Sequence, residues 1–167
     1  MAGDTVYDSR SIANYLIGKA GTHGLTALQV LKLVYIAHGF TLGLTGRGLL
    51  EDEVEAWKFG PVVRRIYSAI PAGSAPITKP IAGIPAATLK AAERKIVDLV
   101  FTQYGSLGGM YLSSLTHRAG SPWEKTWKTY GQNAVIPRTL IETHYKAIID
   151  RWNEAAEQGK TYSPDAL

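Results

Sequence analysis

Cysteine is absent from the chain, so neither a disulfide framework nor a thiolate metal site can form. No apolar run approaches the ~20 residues that span a bilayer. The opening residues, Met1 to Thr5, lack the basic start and apolar block of a secretory signal. These absences together predict a cytoplasmic protein with no membrane association. Histidine is sparse: His23, His38, His117 and His144 are not spaced for two of them to share a metal on one helix face. No serine lies in a nucleophile-elbow pattern. Gly159-Lys160-Thr161 looks like the end of a phosphate-binding loop, but Glu154 stands where the partner glycine is needed and no strand precedes it. Gly43, Gly46 and Gly48 likewise follow a helix and suit a stop and turn better than a nucleotide cradle. His117, Ser121 and Glu124 could imitate acid/base machinery, yet Ser121 and Glu124 are better used as a helix cap. No nucleophile is paired with a base, so no enzyme, metal or cofactor is expected.

Concentrated charge is also missing. The net charge is +4, with Arg64-Arg65 the only basic doublet, and the segment from Lys90 to Lys95 interleaves Glu93 among its cations. A nucleic-acid-binding surface usually shows a clustered basic stripe, often with aromatics in it. A solvated surface with a slight cationic bias is the better reading.

What is present is enough apolar material for a core: 46% of 167 residues are hydrophobic, a composition and length typical of one globular domain. Periodicity and capping residues predict seven helical segments. The first starts at Asp8 or Ser9, turns Ile12, Tyr15, Leu16 and Ile17 inward, and stops at Gly21 and Gly24. The second has the fullest start in the chain. Thr26 and Gln29 form a capping box, flanked by a staple of Leu25 and Val30. Its apolar stripe is wider than a surface helix needs, which predicts a buried central helix ended by Gly43 and Gly46. Gly60-Pro61 reads as the start of the third, with proline at the first helical position. Residues 71–85 are rich in Pro, Ala, Gly and Thr and read as an extended loop. Ile77 and Ile81 suit an edge strand, with residues 54–57 as its expected partner. The fourth helix is expected from about Pro85 to Tyr104 and the fifth after Gly108-Gly109. The sixth is capped by a second box of Ser121 and Glu124 around Pro122, and the seventh runs from Pro137 with Ile141, Tyr145, Ile148 and Trp152 on one stripe. The expectation is a mainly α, compact multi-helix domain over residues 1–160 with a tail over 161–167, built round a buried central helix. At most it carries a short β-hairpin or edge strand near residues 54–57 and 77–81.

Three blocks of residues carry a resemblance. The first is Lys32-Leu33-Val34-Tyr35-Ile36-Ala37-His38-Gly39, and the second is Glu55-Ala56-Trp57-Lys58-Phe59-Gly60-Pro61-Val62. The third comprises Leu115-Thr116-His117, Ser121-Pro122-Trp123 and Ile136-Pro137. In this order and spacing the chain resembles the Panacea domain of SocA-like antitoxins, which also occurs in phage-associated and mobile-element proteins. The resemblance implies an antitoxin that neutralises a cognate protein toxin by direct binding, the toxin being encoded by the adjacent gene. An adaptor that delivers the toxin to a bacterial protease is a variant of the same idea, and the last residues, Ser163 to Leu167, suit either a protease-read signal or a frayed end.

Because the family pairs one domain with many toxins, its motif residues are expected to be structural: Lys32, Tyr35, His38, Gly60, Pro61, His117, Pro122 and Trp123. Partner contact is expected from Trp57, Lys58, Phe59, Arg64, Arg65, Tyr67 and Arg118, together with the 71–85 loop. Trp57, Phe59 and Trp123 suit core anchors and interface anchors equally. The alternative is a phage or mobile-element nucleic-acid-binding regulator, supported by the basic pI. The second helix is too apolar to expose a face to the major groove, which counts against it.

Overall fold

The computed structural model describes residues 6–161 and 163–167, so the readings made on Met1 to Thr5 lie outside the described residues, as does Tyr162. The helices are α1 Ser9–Ala20, α2 Ala27–Thr45, α3 Arg64–Tyr67, α4 Ala91–Tyr104, α5 Gly109–Thr116, α6 Pro122–Tyr130 and α7 Arg138–Glu157. Strands β1 Glu55–Trp57 and β2 Gly60–Val62 form one antiparallel hairpin, with Ala56 opposite Pro61. The fold is mainly α.

Helix α2 is the core element. Both halves of its capping box form: the Gln29 amide donates to Thr26 Oγ1 at 3.2 Å, and the Thr26 amide donates to Gln29 Oε1 at 2.9 Å. Every residue from Val30 to Leu42 is buried, because α1, α4, α5 and α7 pack around it. By length and composition alone α2 could cross a bilayer, contrary to the sequence reading, but its apolar surface is spent inside the protein. The closest partner is α7, whose Tyr145 ring lies where a side chain at Gly39 would be. Phe40 packs edge-on against Tyr145 and beside Trp152, each with ring centres 5.0 Å apart. Gly46, at φ 69°, ends the helix by taking a left-handed conformation and donating its amide to Leu42. Gly43 stays inside the helix, where it lets the backbone of α7 approach.

Several expectations need correction. Gly60-Pro61 does not begin a helix: Gly60 has φ 108°, which a helix cannot contain, and the pair forms β2. The third helix is a single turn that starts four residues later at Arg64. Ile77 pairs with Leu25 rather than with residues 54–57, through bonds of 3.1 and 2.7 Å. The reason is that both edges of β1 are already used. One side holds β2, and on the other the Ala56 amide donates to Ala134 while the Ile136 amide donates to Val54. Helix α4 begins at Ala91, not Pro85, because Ala87 is drawn out to bond Ser11 on α1. The second capping box is half made. Ser121 Oγ accepts from the Glu124 amide, but the Glu124 carboxylate turns outward to the Gly120 amide. The segment from Ser163 to Leu167 is not frayed: Leu167 is 5% exposed and packs on the core.

Candidate partner-binding site

The β1–β2 hairpin is fastened through three alternate carbonyls, each by a different helix. Trp123 Nε1 on α6 donates to the Trp57 carbonyl at 2.6 Å. Ser113 Oγ on α5 donates to the Phe59 carbonyl at 2.6 Å, and Lys32 Nζ on α2 donates to the Pro61 carbonyl at 2.8 Å. These bonds close one flank of the hairpin on the helices and leave Lys58 and Phe59, at its turn, exposed. Gly60 permits this closeness, since a Cβ there would sit 2.9 Å from Lys32 Nζ.

Lys32 is fully buried, and burial alone drives its ammonium pKa down to about 7. A half-neutral amine with one carbonyl acceptor is a tolerable core group; a fixed charge there is not.

The outward side of the hairpin is aromatic and cationic. Phe59 is 57% exposed and Tyr67 is 52% exposed. The Trp57 ring is half-buried, meets Tyr67 edge-on at 4.8 Å, and lies under the Arg64 guanidinium at 5.1 Å. Glu55 accepts from Arg64 at 2.9 Å and from Trp57 Nε1 at 2.7 Å, so its carboxylate holds that group in place. Lys58 Nζ lies 5.5 Å from the Phe59 ring centre.

Of the seven contact candidates, Trp57, Lys58, Phe59, Arg64 and Tyr67 therefore come together on and beside the hairpin. Arg65 is engaged elsewhere: it binds Asp8 at 3.1 Å, Glu51 at 2.8 Å and Asp52 at 3.0 Å, which ties α3 to the cap of α1. Arg10 adds to this cage and, with Arg65, holds the Asp8 carboxyl down at about 2. Each of the three carboxylates is thus paired with the Arg65 guanidinium. Arg118 donates to the Asp165 carbonyl at 2.7 Å, and the Tyr111 hydroxyl bonds the Asp165 carboxylate, so this residue holds the 163–167 segment.

Two further motif residues, Tyr35 and His38, are buried on α2. Nδ1 of His38 accepts the Leu49 and Leu50 amides at 3.2 and 3.3 Å, closing the loop after α2 back onto the helix. With that lone pair in use the ring is neutral and protonated at Nε2, an assignment made from the hydrogen bonds. Burial, then the nearby Arg138 charge, lowers its pKa to about 3. The unfolded imidazole accepts a proton near pH 6.5, so folding loses stability as pH falls from about 6.5 towards 3. His38→Ala is expected to cost about 2–4 kcal/mol at pH 7, because two buried amides lose their acceptor. It is also expected to flatten the acid side of the stability curve, and urea melts at pH 7 and pH 5 check both.

Burial raises the phenol pKa of Tyr35, whose ring meets Tyr145 edge-on. His117 bonds Ser113 and meets the Trp123 ring at 5.2 Å, and Pro122 begins α6. Ser113 was not legible as a hairpin anchor. Its one trace in sequence is the four-residue spacing to His117, which puts both on the same face of α5.

The hairpin, its three anchors and the scaffold helices that carry them coincide with a family pattern. The profile of the SocA-like antitoxin family, Panacea domain, matches residues 30–124, a span that contains all three hairpin anchors, and the chain belongs to that family. Antitoxin SocA of Caulobacter vibrioides (strain NA1000 / CB15N) is 31% identical over 157 residues, covering 87% of this chain and 82% of the relative. No solved structure matches the chain.

Proposed function

We propose that this chain is the antitoxin of a toxin–antitoxin pair and neutralises a cognate protein toxin by direct contact, without a catalytic step. The observation that carries this reading is the hairpin. An aromatic side chain left 57% exposed on a backbone held by three helices suits a recognition surface. The natural candidate for the toxin is the product of the adjacent gene. Delivery to a protease finds less support, since the segment that would be read, Ser163 to Leu167, is docked through Asp165 and buries Leu167. A nucleic-acid regulator is disfavoured because α2 has no free face for a groove.

Inducible co-expression with the adjacent gene tests the proposal. Expression of the neighbour alone should stop growth, and this chain should restore it with the toxin's half-life unchanged. A harmless neighbour, or toxicity indifferent to this chain, defeats the antitoxin reading. A toxin half-life shortened by the chain replaces titration with delivery.

A further inference from the structure

We infer that the hairpin tip, Trp57 to Gly60 with Arg64 and Tyr67 beside it, is the toxin-docking surface, and that it fits a protein pocket with an apolar centre and a carboxylate-bearing rim. The inference rests on the antitoxin reading and adds to it the surface and the chemistry of the partner.

Three observations converge. The first is preorganisation. The Trp57, Phe59 and Pro61 carbonyls are held at 2.6–2.8 Å by α6, α5 and α2, so the tip loses little freedom when it binds. Nothing in those bonds constrains the outer side chains of Lys58 and Phe59. The second is apolar exposure at that point: Phe59, Tyr67 and the edge of Trp57 offer the aromatic anchors that dominate interface energetics. The third is charge. Glu55, the carboxylate beside the tip, is taken by Arg64 and Trp57 Nε1, whereas Lys58 has no carboxylate partner among the described residues. The tip itself therefore presents one uncompensated cation, the Lys58 ammonium, so the complementary rim is anionic.

A rival surface lies on the flank of the fold, an apolar cavity of about 340 Å³ lined by Leu44, Leu99, Val100, Ile149 and Trp152. Nothing at that cavity specifies an occupant, whereas the tip specifies both shape and charge. Nucleic acid fits the tip poorly. Phosphate tracking needs a run of unpaired cations, and Arg64 is already committed to Glu55.

The test is isothermal titration calorimetry of the full chain with the purified adjacent-gene product at several salt concentrations. The variants are Phe59→Ser, Lys58→Glu and, as a control on the flank cavity, Leu99→Ser. Phe59→Ser should weaken binding by about thirtyfold or more while leaving the melting temperature unchanged, as expected for an exposed anchor. Lys58→Glu should weaken it about tenfold and reduce its salt dependence. Leu99→Ser should stay within about twofold of wild type. If the wild type binds and both tip variants bind equally well, or only Leu99→Ser weakens the complex, the docking assignment is overturned while the antitoxin reading stands. If the wild type does not bind the toxin, the antitoxin reading fails and takes this inference with it. Binding of random-sequence duplex DNA with a steep salt slope that Lys58→Glu removes assigns the tip to nucleic acid instead.

Discussion

Alanine at Gly39 is expected to cost the protein about 3 kcal/mol or more, although alanine is the better helix former. The ideal Cβ lies 2.2, 2.4 and 2.5 Å from three ring atoms of Tyr145. No side chain tolerates such distances, and the ring cannot simply swing aside: Tyr145 is 1% exposed and wedged between Tyr35 and Phe40. Helix α7 must therefore move off α2 or a rotamer must be forced, and a core packed at crystal density absorbs neither cheaply. The gain from removing a helix-interior glycine, about 1 kcal/mol, is the smaller effect. A fall in melting temperature of roughly 6–12 °C should result. The cause is separable by a double-mutant cycle. In a Tyr145→Leu background the same Gly39→Ala change should cost under about 1 kcal/mol, because the ring that obstructs it has gone. An unchanged melting temperature for the single variant would show that α7 does not sit as closely on α2 as described.

The second large effect concerns Lys32 and pH. Its amine titrates near 7 when folded and at the ordinary 10.5 when unfolded. Between these values the unfolded chain binds the extra proton, so stability rises with pH from about 7 towards 10.5; below 7 both states are protonated and the full penalty persists. The expected gain is a few kcal/mol across this window, limited in practice by the tyrosines. Tyr15 and Tyr35 have raised phenol pKa values, and they oppose the gain above about pH 10. Lys32→Met isolates the contribution. It keeps the volume of the stem, removes the titrating group, and should give a stability curve that is flat between pH 7 and 9.5 where the wild type climbs. Because Lys32 also holds the Pro61 carbonyl, the variant should loosen the hairpin, seen as faster exchange of the Gly60 and Val62 amides. A wild-type curve as flat as the variant's would mean that the amine reaches solvent.

Residues close in sequence were legible in proportion to how local their physics is. The α2 start could be read because Thr26 and Gln29 satisfy each other within one turn, and its burial could be read because the apolar positions extend all round the helix. The turn at Gly60 was misread because proline suits both a first helical turn and an edge strand. Only the φ of 108° at Gly60, where a Cβ would also crowd Lys32 and Thr116, decides between them. The mispairing of Ile77 has a similar origin. A short apolar strand carries no address, and its partner was fixed by which edges remained free once residues 134–136 had closed on β1.

The site divides along the same line. Trp57, Lys58, Phe59, Arg64 and Tyr67 could be grouped from sequence because a hairpin and one helical turn keep neighbours together. Arg65 and Arg118 are expected beside them as residues outside the family motifs, yet each is drawn to carboxylate or carbonyl groups elsewhere in the chain, at Asp8, Glu51 and Asp52 in one case and Asp165 in the other. Sequence by itself determined the mainly α class, the central helix and the family pattern, since these depend on periodicity, capping and the order of motifs. Tertiary structure alone decided that Lys32, Ser113 and Trp123 meet on one hairpin. Those three lie up to 91 residues apart, and no local preference records which carbonyl a distant donor will find.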